Sequence, residues 1–369
     1  MRKPFFAMLV LLLAISCGRK ENSPAGLKDA FGEDFLVGVA LNEGQIRALD
    51  SATDSVIRLH FNAAEPENCL KSEAIHPEED TYDWELADKY VDFCTERGIT
   101  PYGHVLIWHS QLSPWFAVDE NGNDVSPEVL KQRMKEHITT VMTRYKGRIK
   151  GWDVVNEAIE DDGSWRQSPF YRILGEEYIP LAFQYAHEAD PDCELYYNDY
   201  GMHHEGRHRR VLELVGMLKD RGLRIDAVGF QGHMGMDYPD IDIFEKYMRE
   251  VADMGVGICI TEWDMSALPT ITSSADVATL AQSLGIAPEN MLNPYPDALP
   301  EEISAQWNKR VEDFFSMFRR NSDIIRRVNI WGLNDSSSWK STPRRRDYPL
   351  LFNDDLTPKD VVKHFTISE

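Results

Sequence analysis

The chain has 369 residues, with 39 basic and 61 acidic side chains and a formal net charge of -22. That balance excludes nucleic acid as a partner, because phosphate backbones demand a basic face. It leaves a neutral polymer, such as a glycan, open.

In chain order, the first segment reads as an export signal. Arg2 and Lys3 give a positive start, and Phe5 to Ile15 is almost unbroken apolar sequence. The run is shorter than the roughly 20 apolar residues that a spanning helix needs. Ala14-Ile15-Ser16-Cys17 resembles a bacterial lipobox, in which the cysteine is lipidated and becomes the first mature residue, although leucine is more usual at the place of Ala14. An ordinary cleaved signal with an incidental cysteine is the alternative. The lipoprotein reading predicts a signal over 1–17, lipidation of Cys17, a polar tether over 18–28 and one folded domain over 29–369. It also predicts export and attachment to the cell envelope, at the outer membrane, through the lipid alone. Cys69, Cys94, Cys193 and Cys259 show no CxxC spacing and no metal-ligand rhythm. Buried free thiols are the expectation, with one disulfide open in an oxidising compartment.

Beyond the tether, short β-rich runs alternate with longer helical patterns. The predicted strands are Phe35–Ala40, Val56–Phe61, Thr100–Trp108, Ile149–Asn156, Glu194–Asn198, Ala227–Gln231, Gly257–Thr261 and Val328–Leu333. The predicted helices include Trp84–Arg97, Pro127–Tyr145, Tyr178–Ala189, Gly206–Arg221, Asp242–Met254 and Glu301–Asn321. Gly98, Gly147, Gly222 and Gly255 stand where helices should stop. Eight such strands with intervening helices predict an α/β chain folded as a single (β/α)8 TIM barrel. A doubly wound open sheet is the competing architecture. Residues 266–300, rich in Ser, Thr, Pro and Ala, read as an insertion over the active face, either shaping a cleft or passing over the surface.

Polar and aromatic residues cluster where the apolar runs end: His104 to Gln111, Asn156-Glu157, Asn198-Asp199, Gln231 to His233, Glu262, and Trp331 to Trp339. In a barrel those ends share the face where active sites form. Glu157 and Glu262 each follow an apolar strand. Glycoside hydrolysis needs two such carboxyl groups, and a retaining enzyme needs them about 5–5.5 Å apart. A lone glutamate after a strand is ordinarily a solvated rim residue; the Asn156-Glu157 pair strengthens the case, because Asn156 is suited to hold the 2-hydroxyl of the reacting sugar. His233 is a candidate partner for Glu262, with Asp264 fixing its tautomer. Asn198 and Asp199 read as turn residues. His104 and His109 have no third ligand at metal spacing, so no metal and no cofactor are expected. Trp108, Gln111, Trp331 and Trp339 suit a sugar, although any one tryptophan is more often core.

Taken in order, these segments resemble glycoside hydrolase family 10, the endo-β-1,4-xylanases, over most of residues 29 to 365. Pro66-Glu67-Asn68-Cys69-Leu70-Lys71 looks like the family's PENxMK, and Gly103 to Gln111 looks like its GHTLVWHSQ. Trp152 to Ala158 matches WDVVNEA, and Tyr197 to Tyr200 matches YNDY. Gly229 to His233 is similar to GxQGH, Ile260 to Asp264 to ITELD, and Trp331 to Trp339 to WGVxDxxSW. The resemblance implies a retaining endo-xylanase with Glu157 as acid/base and Glu262 as nucleophile. It implies that His104, Trp108, Asn156, Gln231 and His233 surround the reacting sugar. Glu67, Asn68 and Lys71 would hold the next sugar toward the non-reducing end, Trp331 and Trp339 would close over the glycone, and Tyr200 would stack on the aglycone side. Xylan and xylo-oligosaccharides are the implied partners, and a monomer is expected. Trp263 replaces the usual leucine beside the nucleophile and is expected beneath Glu262 or in the cleft. Glu65 adds a carboxylate expected near the glycone subsites. A β-glucanase or mannanase of similar architecture, and a glycan-binding lipoprotein without catalysis, are the competing readings.

Overall fold

The computed structural model describes residues 26–367, apart from 272, 273 and 286. The predicted signal, the tether up to residue 25 and Cys17 lie outside the described residues.

Among the described residues nine strands form: β1 Leu36–Leu41, β2 Ala63–Pro66, β3 Thr100–Pro101, β4 Gly151–Asn156, β5 Glu194–Asp199, β6 Ala227–Phe230, β7 His233–Gly235, β8 Gly257–Ser266 and β9 Ile325–Ile330. All pair in parallel, in the order β3-β2-β1-β9-β8-β6-β5-β4, with β7 beside the end of β8. Gly103 and Ile107 bridge to Trp152 and Val155 of β4, which closes the sheet on itself. The result is the expected (β/α)8 barrel, and the open sheet is excluded. Helices wrap it. Glu301–Arg320 turns Trp307, Val311, Phe314, Phe315 and Phe318 inward, at the spacing of one helical face. Ser126 and Asp240 cap the helices Pro127–Arg144 and Ile241–Ala252 through their side-chain oxygens. The four helix-ending glycines all take positive φ.

Two predicted strands differ. Val56–Phe61 lies mostly within a helix, Ser51–His60, whose first turn is capped by Asp50 accepting from the amides of Ala52 and Thr53 at 2.9 Å. Thr53, Ile57 and His60 are its buried side, one helical period apart. The true strand starts at Ala63, where Ala-Ala-Glu-Pro carries little β-propensity of its own. Thr100–Trp108 occupies its expected place, but only Thr100–Pro101 is a regular strand. Pro101 has no N–H for a ladder, and pairing resumes through Gly103 and Ile107. The insertion is not a bare loop either: it carries the helix Ser274–Leu284 and a short turn at Pro288–Asn290.

The barrel interior below the active face carries buried charge. Glu65 of β2 accepts from both Arg327 Nη1 and Nη2 (2.8 and 3.2 Å) and from Asn329 Nδ2 (3.0 Å). The Arg327 guanidinium lies 3.9 Å over the Tyr102 ring. Gly38 makes this possible, since a Cβ there would sit 1.6 Å from Asn329 Oδ1. The expectation that Glu65 adds a carboxylate to the cleft is therefore corrected. Burial raises its carboxyl and Arg327 opposes that, so it forms a floor under the site instead. Trp263 is corrected in the same way. Successive residues of a strand face opposite sides, so Glu262 and Asp264 point in while Trp263 points out, edge-on to Phe315 at 5.5 Å. The thiols of Cys69, Cys94, Cys193 and Cys259 are free and buried.

Candidate active site

At the strand ends one cleft of about 870 Å³ opens. Every residue expected to bind sugar or act chemically lines it, except Asp264, which stands directly behind His233.

Glu157 follows β4 with φ +56°, a conformation few non-glycine residues adopt. Strain of this kind costs roughly 1–3 kcal/mol and persists only where neighbours fix it. Here the Glu157 amide donates to the Asn198 carbonyl (2.9 Å) and its carbonyl accepts from Arg166 Nε (2.8 Å). The side chain reaches three neutral donors: Trp108 Nε1 at 3.0 Å, Gln231 Nε2 at 3.0 Å and Asn156 Nδ2 at 3.3 Å.

Glu262 lies within β8, only 5% exposed. Its Oε1 accepts from Asn198 Nδ2 at 2.8 Å and its Oε2 from His233 Nε2 at 3.2 Å. Burial works to raise this carboxyl. The His233 hydrogen bond, the charges of His104 and His233 and the Asn198 amide outweigh it and hold the group below the ordinary glutamate value. His233 is itself pushed up to about 9: burial opposes this, but Asp264 Oδ2 at 3.0 Å and Glu262 prevail. Both imidazole nitrogens therefore carry protons near neutrality. Asp264 is held in turn by Trp339 Nε1 (2.8 Å) and Lys340 Nζ (3.3 Å).

Four hydrogen bonds join the two carboxylates. Gln231 Nε2 donates to Glu157 and to Asn156 Oδ1 (3.2 Å); Asn198 Nδ2 donates to Asn156 Oδ1 (3.1 Å) and to Glu262. With Oδ1 accepting twice, the Asn156 amide is locked with its amino group toward Glu157. Asn198 is a site residue that sequence reasoning assigned to a turn. It is the penultimate residue of β5 rather than a turn residue, and Thr261 Oγ1 fixes its orientation by donating to Oδ1 at 2.6 Å. A Cβ at Gly229 would lie 2.3 Å from that same oxygen, so β6 leaves room for it. Asp199 is also no turn residue: it is buried, pushed up to about 7 by burial against the opposing charge of Arg207.

The remaining predicted residues are assembled as two walls. On one, Lys71 Nζ donates to Gln111 Oε1 (2.7 Å) and Asn68 Oδ1 (3.1 Å) and lies 4.7 Å from the Trp108 ring. Burial pushes Glu67 up to about 7, against the nearby Lys71 charge. His104 bonds Asp153 at 2.9 Å and meets Trp331 edge-on at 5.5 Å. Burial would lower that imidazole, yet Asp153 and the Glu262 charge raise it. Trp331 is nearly covered, whereas Trp339 is 58% exposed and meets His233 edge-on. On the other wall, Tyr200 accepts from Arg166 Nη2 (2.7 Å), with the Arg207 guanidinium 4.1 Å over its ring. Asp161, His203, His204, Asp237, Tyr238 and Thr270 also line the cleft and were not foreseen. His203 and His204 stand three and four residues after Tyr200 of the YNDY segment, which was the available signal. Thr270 brings the insertion to the cleft, in line with the shaping role. Glu65, His104 and Asp153 hold ligand-type atoms within 4.8 Å of one another. Arg327 and Asn329 already take both oxygens of that glutamate, and Asp153 takes the His104 Nδ1. This donor set is an ion-pair network rather than a metal cradle.

A family model described as glycosyl hydrolase family 10 matches residues 26–366. The chain belongs to glycosyl hydrolase family 10. It is 44% identical over 366 residues, 98% of each chain, to endo-1,4-β-xylanase A of Xylanibacter ruminicola. It is 34% identical to endo-1,4-β-xylanase B of Paenibacillus barcinonensis, covering 90% of this chain and 95% of that one. Among solved structures, a family 10 endoxylanase from a sugarcane soil metagenome superposes with a TM-score of 0.84 at 37% identity, covering 93% of this chain and 98% of the other. A Paenibacillus barcinonensis xylanase in complex with a conduramine derivative gives 0.83 at 32%, covering 95% and 100%.

Within this family 10 site, Asn198 lowers the Glu262 pKa. As pH falls through that value, Glu262 takes up a proton, and activity that needs its carboxylate is expected to fall. Asn198→Ala is expected to cut kcat by about tenfold to a hundredfold, the scale of one hydrogen bond to a buried charge at ~1.5–3 kcal/mol. It is also expected to move the acidic limb of kcat/KM to higher pH. A reduced kcat with an unmoved acidic limb would reassign Asn198 to packing alone.

Proposed function

We propose that this chain is a retaining endo-1,4-β-xylanase in which Glu262 is the nucleophile and Glu157 the acid/base. Endo-1,4-β-xylanase activity follows from family membership and from similarity along the whole chain. Retention is general to the family.

The assignment of roles rests on one contrast. Glu262 faces a protonated His233 and is held ionised, as an attacking carboxylate must be. Among the described residues, Glu157 faces only neutral hydrogen-bond donors, with no cation beside it like the His233 that faces Glu262. In the first step Glu262 attacks the anomeric carbon while Glu157 gives its proton to the departing glycosidic oxygen. A covalent glycosyl-enzyme forms and the shorter chain leaves. Glu157, now ionised, takes a proton from water, whose oxygen displaces Glu262 and releases the sugar with its original configuration. The locked Asn156 amide is suited to the 2-hydroxyl, a contact that strengthens as charge develops on the ring. The Lys71–Asn68–Gln111 cluster and Trp339 favour xylose, which lacks the C6 hydroxymethyl that a glucanase or mannanase must admit. A monomer is part of this proposal.

Mixed with xylan, the protein is expected to release short xylo-oligosaccharides; binding without new reducing ends would favour a glycan-binding role instead. Glu262→Ala should abolish turnover of every substrate. Glu157→Ala should spare the first step on aryl xylosides with good leaving groups, which need little acid help. Equal losses by both variants on such substrates would contradict the roles.

The amino-terminal reading also stands as our proposal: export, cleavage before Cys17 and lipid attachment at the cell envelope, at the outer membrane. It rests on Arg2, Lys3, the apolar run and the small residues before Cys17. Among the described residues no helix is long and apolar enough to cross a membrane. Cells fed a labelled fatty acid should label the protein, and Cys17→Ser should lose the label; a labelled Cys17→Ser protein would refute lipidation at that residue.

A further inference from the structure

The cleft continues beyond its walls. Tyr238 and Thr270 line both it and a second cavity of about 410 Å³, built largely from the insertion after β8. One wall of this side cavity is apolar, with Leu268, Ile271 and Met291 in it, and Ser266 and Thr270 add hydroxyls. Its charged lining residue is Arg345, from the loop that follows β9.

Arg345 is exposed, and among the described residues no carboxylate pairs with it or with its neighbour Arg344. Other cations of the same loop are engaged: Lys340 with Asp264, and Arg346 with Asp354 at 2.5 Å. What sets Arg345 apart is its place, an open guanidinium on the lining of this cavity.

We infer that this side cavity receives an acidic branch of the xylan chain, a uronic acid whose carboxylate meets Arg345 while the main chain lies in the cleft. The inference rests on the xylanase reading and deepens it. A guanidinium matches a carboxylate through two parallel hydrogen bonds. The apolar wall and the Tyr238 ring suit the C–H face of a sugar or a methyl ether on it. Continuity through Tyr238 and Thr270 lets a branch enter without leaving the protein surface. Two carboxylates border the lining: Asp237 accepts from Thr270 Oγ1 at 2.6 Å and faces the Arg310 charge, and buried Asp347 accepts from Ser266 Oγ at 2.6 Å and the Ala267 amide at 3.0 Å, which limits their repulsion of an acidic branch. A neutral branch would use the wall but gain nothing from Arg345.

The test compares kcat/KM on linear xylohexaose, on glucuronoxylan and on glucuronoxylan whose carboxyls have been reduced to alcohols. For Arg345→Ala, kcat/KM on glucuronoxylan should fall about fivefold relative to xylohexaose, the scale of one exposed charge-assisted contact. Arg345→Glu should fall further, and Arg345→Lys should recover part of the loss. The carboxyl-reduced polymer should not distinguish the variants from the wild type. Parallel changes on all three substrates, or an unchanged ratio in both the Ala and Glu variants, would overturn the inference. Failure of the wild type to cleave linear xylohexaose would overturn the xylanase reading itself, and this proposal with it.

Discussion

Asn198 Nδ2 donates to Glu262 at 2.8 Å and to Asn156 at 3.1 Å. Through that one amino group, β4, β5 and β8 are tied together at their carboxyl ends, and Gln231 extends the tie to Glu157. An amide in this place has a fixed sense. Its oxygen accepts from Thr261, so its nitrogen must face the carboxylate. The barrel serves the same end: parallel strands in fixed register bring four polar side chains from separate parts of the chain to one face. Gly229 belongs to this constraint, because any side chain there would displace the amide.

Around the tie, the environments of the two glutamates diverge. His233 and Asp264 add positive charge and orientation on one side, whereas indole and amide donors surround the other. The same divergence separates acid from nucleophile in retaining glycosidases. Beneath both lies a floor of buried ions, where Glu65, Arg327 and Asn329 fill the barrel. His104 and Asp153 link that floor to the cleft. Removing one partner of such a pair leaves an uncompensated charge, which is why the floor works as a unit.

Much of this was legible in the sequence, because a barrel puts polar residues immediately after apolar strands. Glu157, Glu262, His233 and the cleft residues around them stood at those positions, and the motif order gave their neighbours. Side-chain direction was harder. Glu65 and Trp263 stand within two residues of site residues in sequence, but strand alternation and the position of Arg327 decide which way they face. Arg327 lies 262 residues away from Glu65, beyond any local pattern. Asn198 looked like a turn because Asn and Asp favour turns, and only the approach of β8 gives it a carboxylate to hold. The helix at Ser51–His60 was hidden because its apolar residues, read over a short window, imitate a strand.

The central claim is that a covalent bond forms at Glu262 while Glu157 handles the proton. Peptide mass spectrometry after incubation with an activated 2-deoxy-2-fluoro-β-xylobioside tests it directly, since the fluorine slows release of the intermediate more than its formation. The account predicts one xylobiosyl adduct, on the peptide containing Glu262 and absent from Glu262→Ala. An adduct on Glu157, or no adduct with the α-anomer as first-formed product of xylan cleavage, would contradict it.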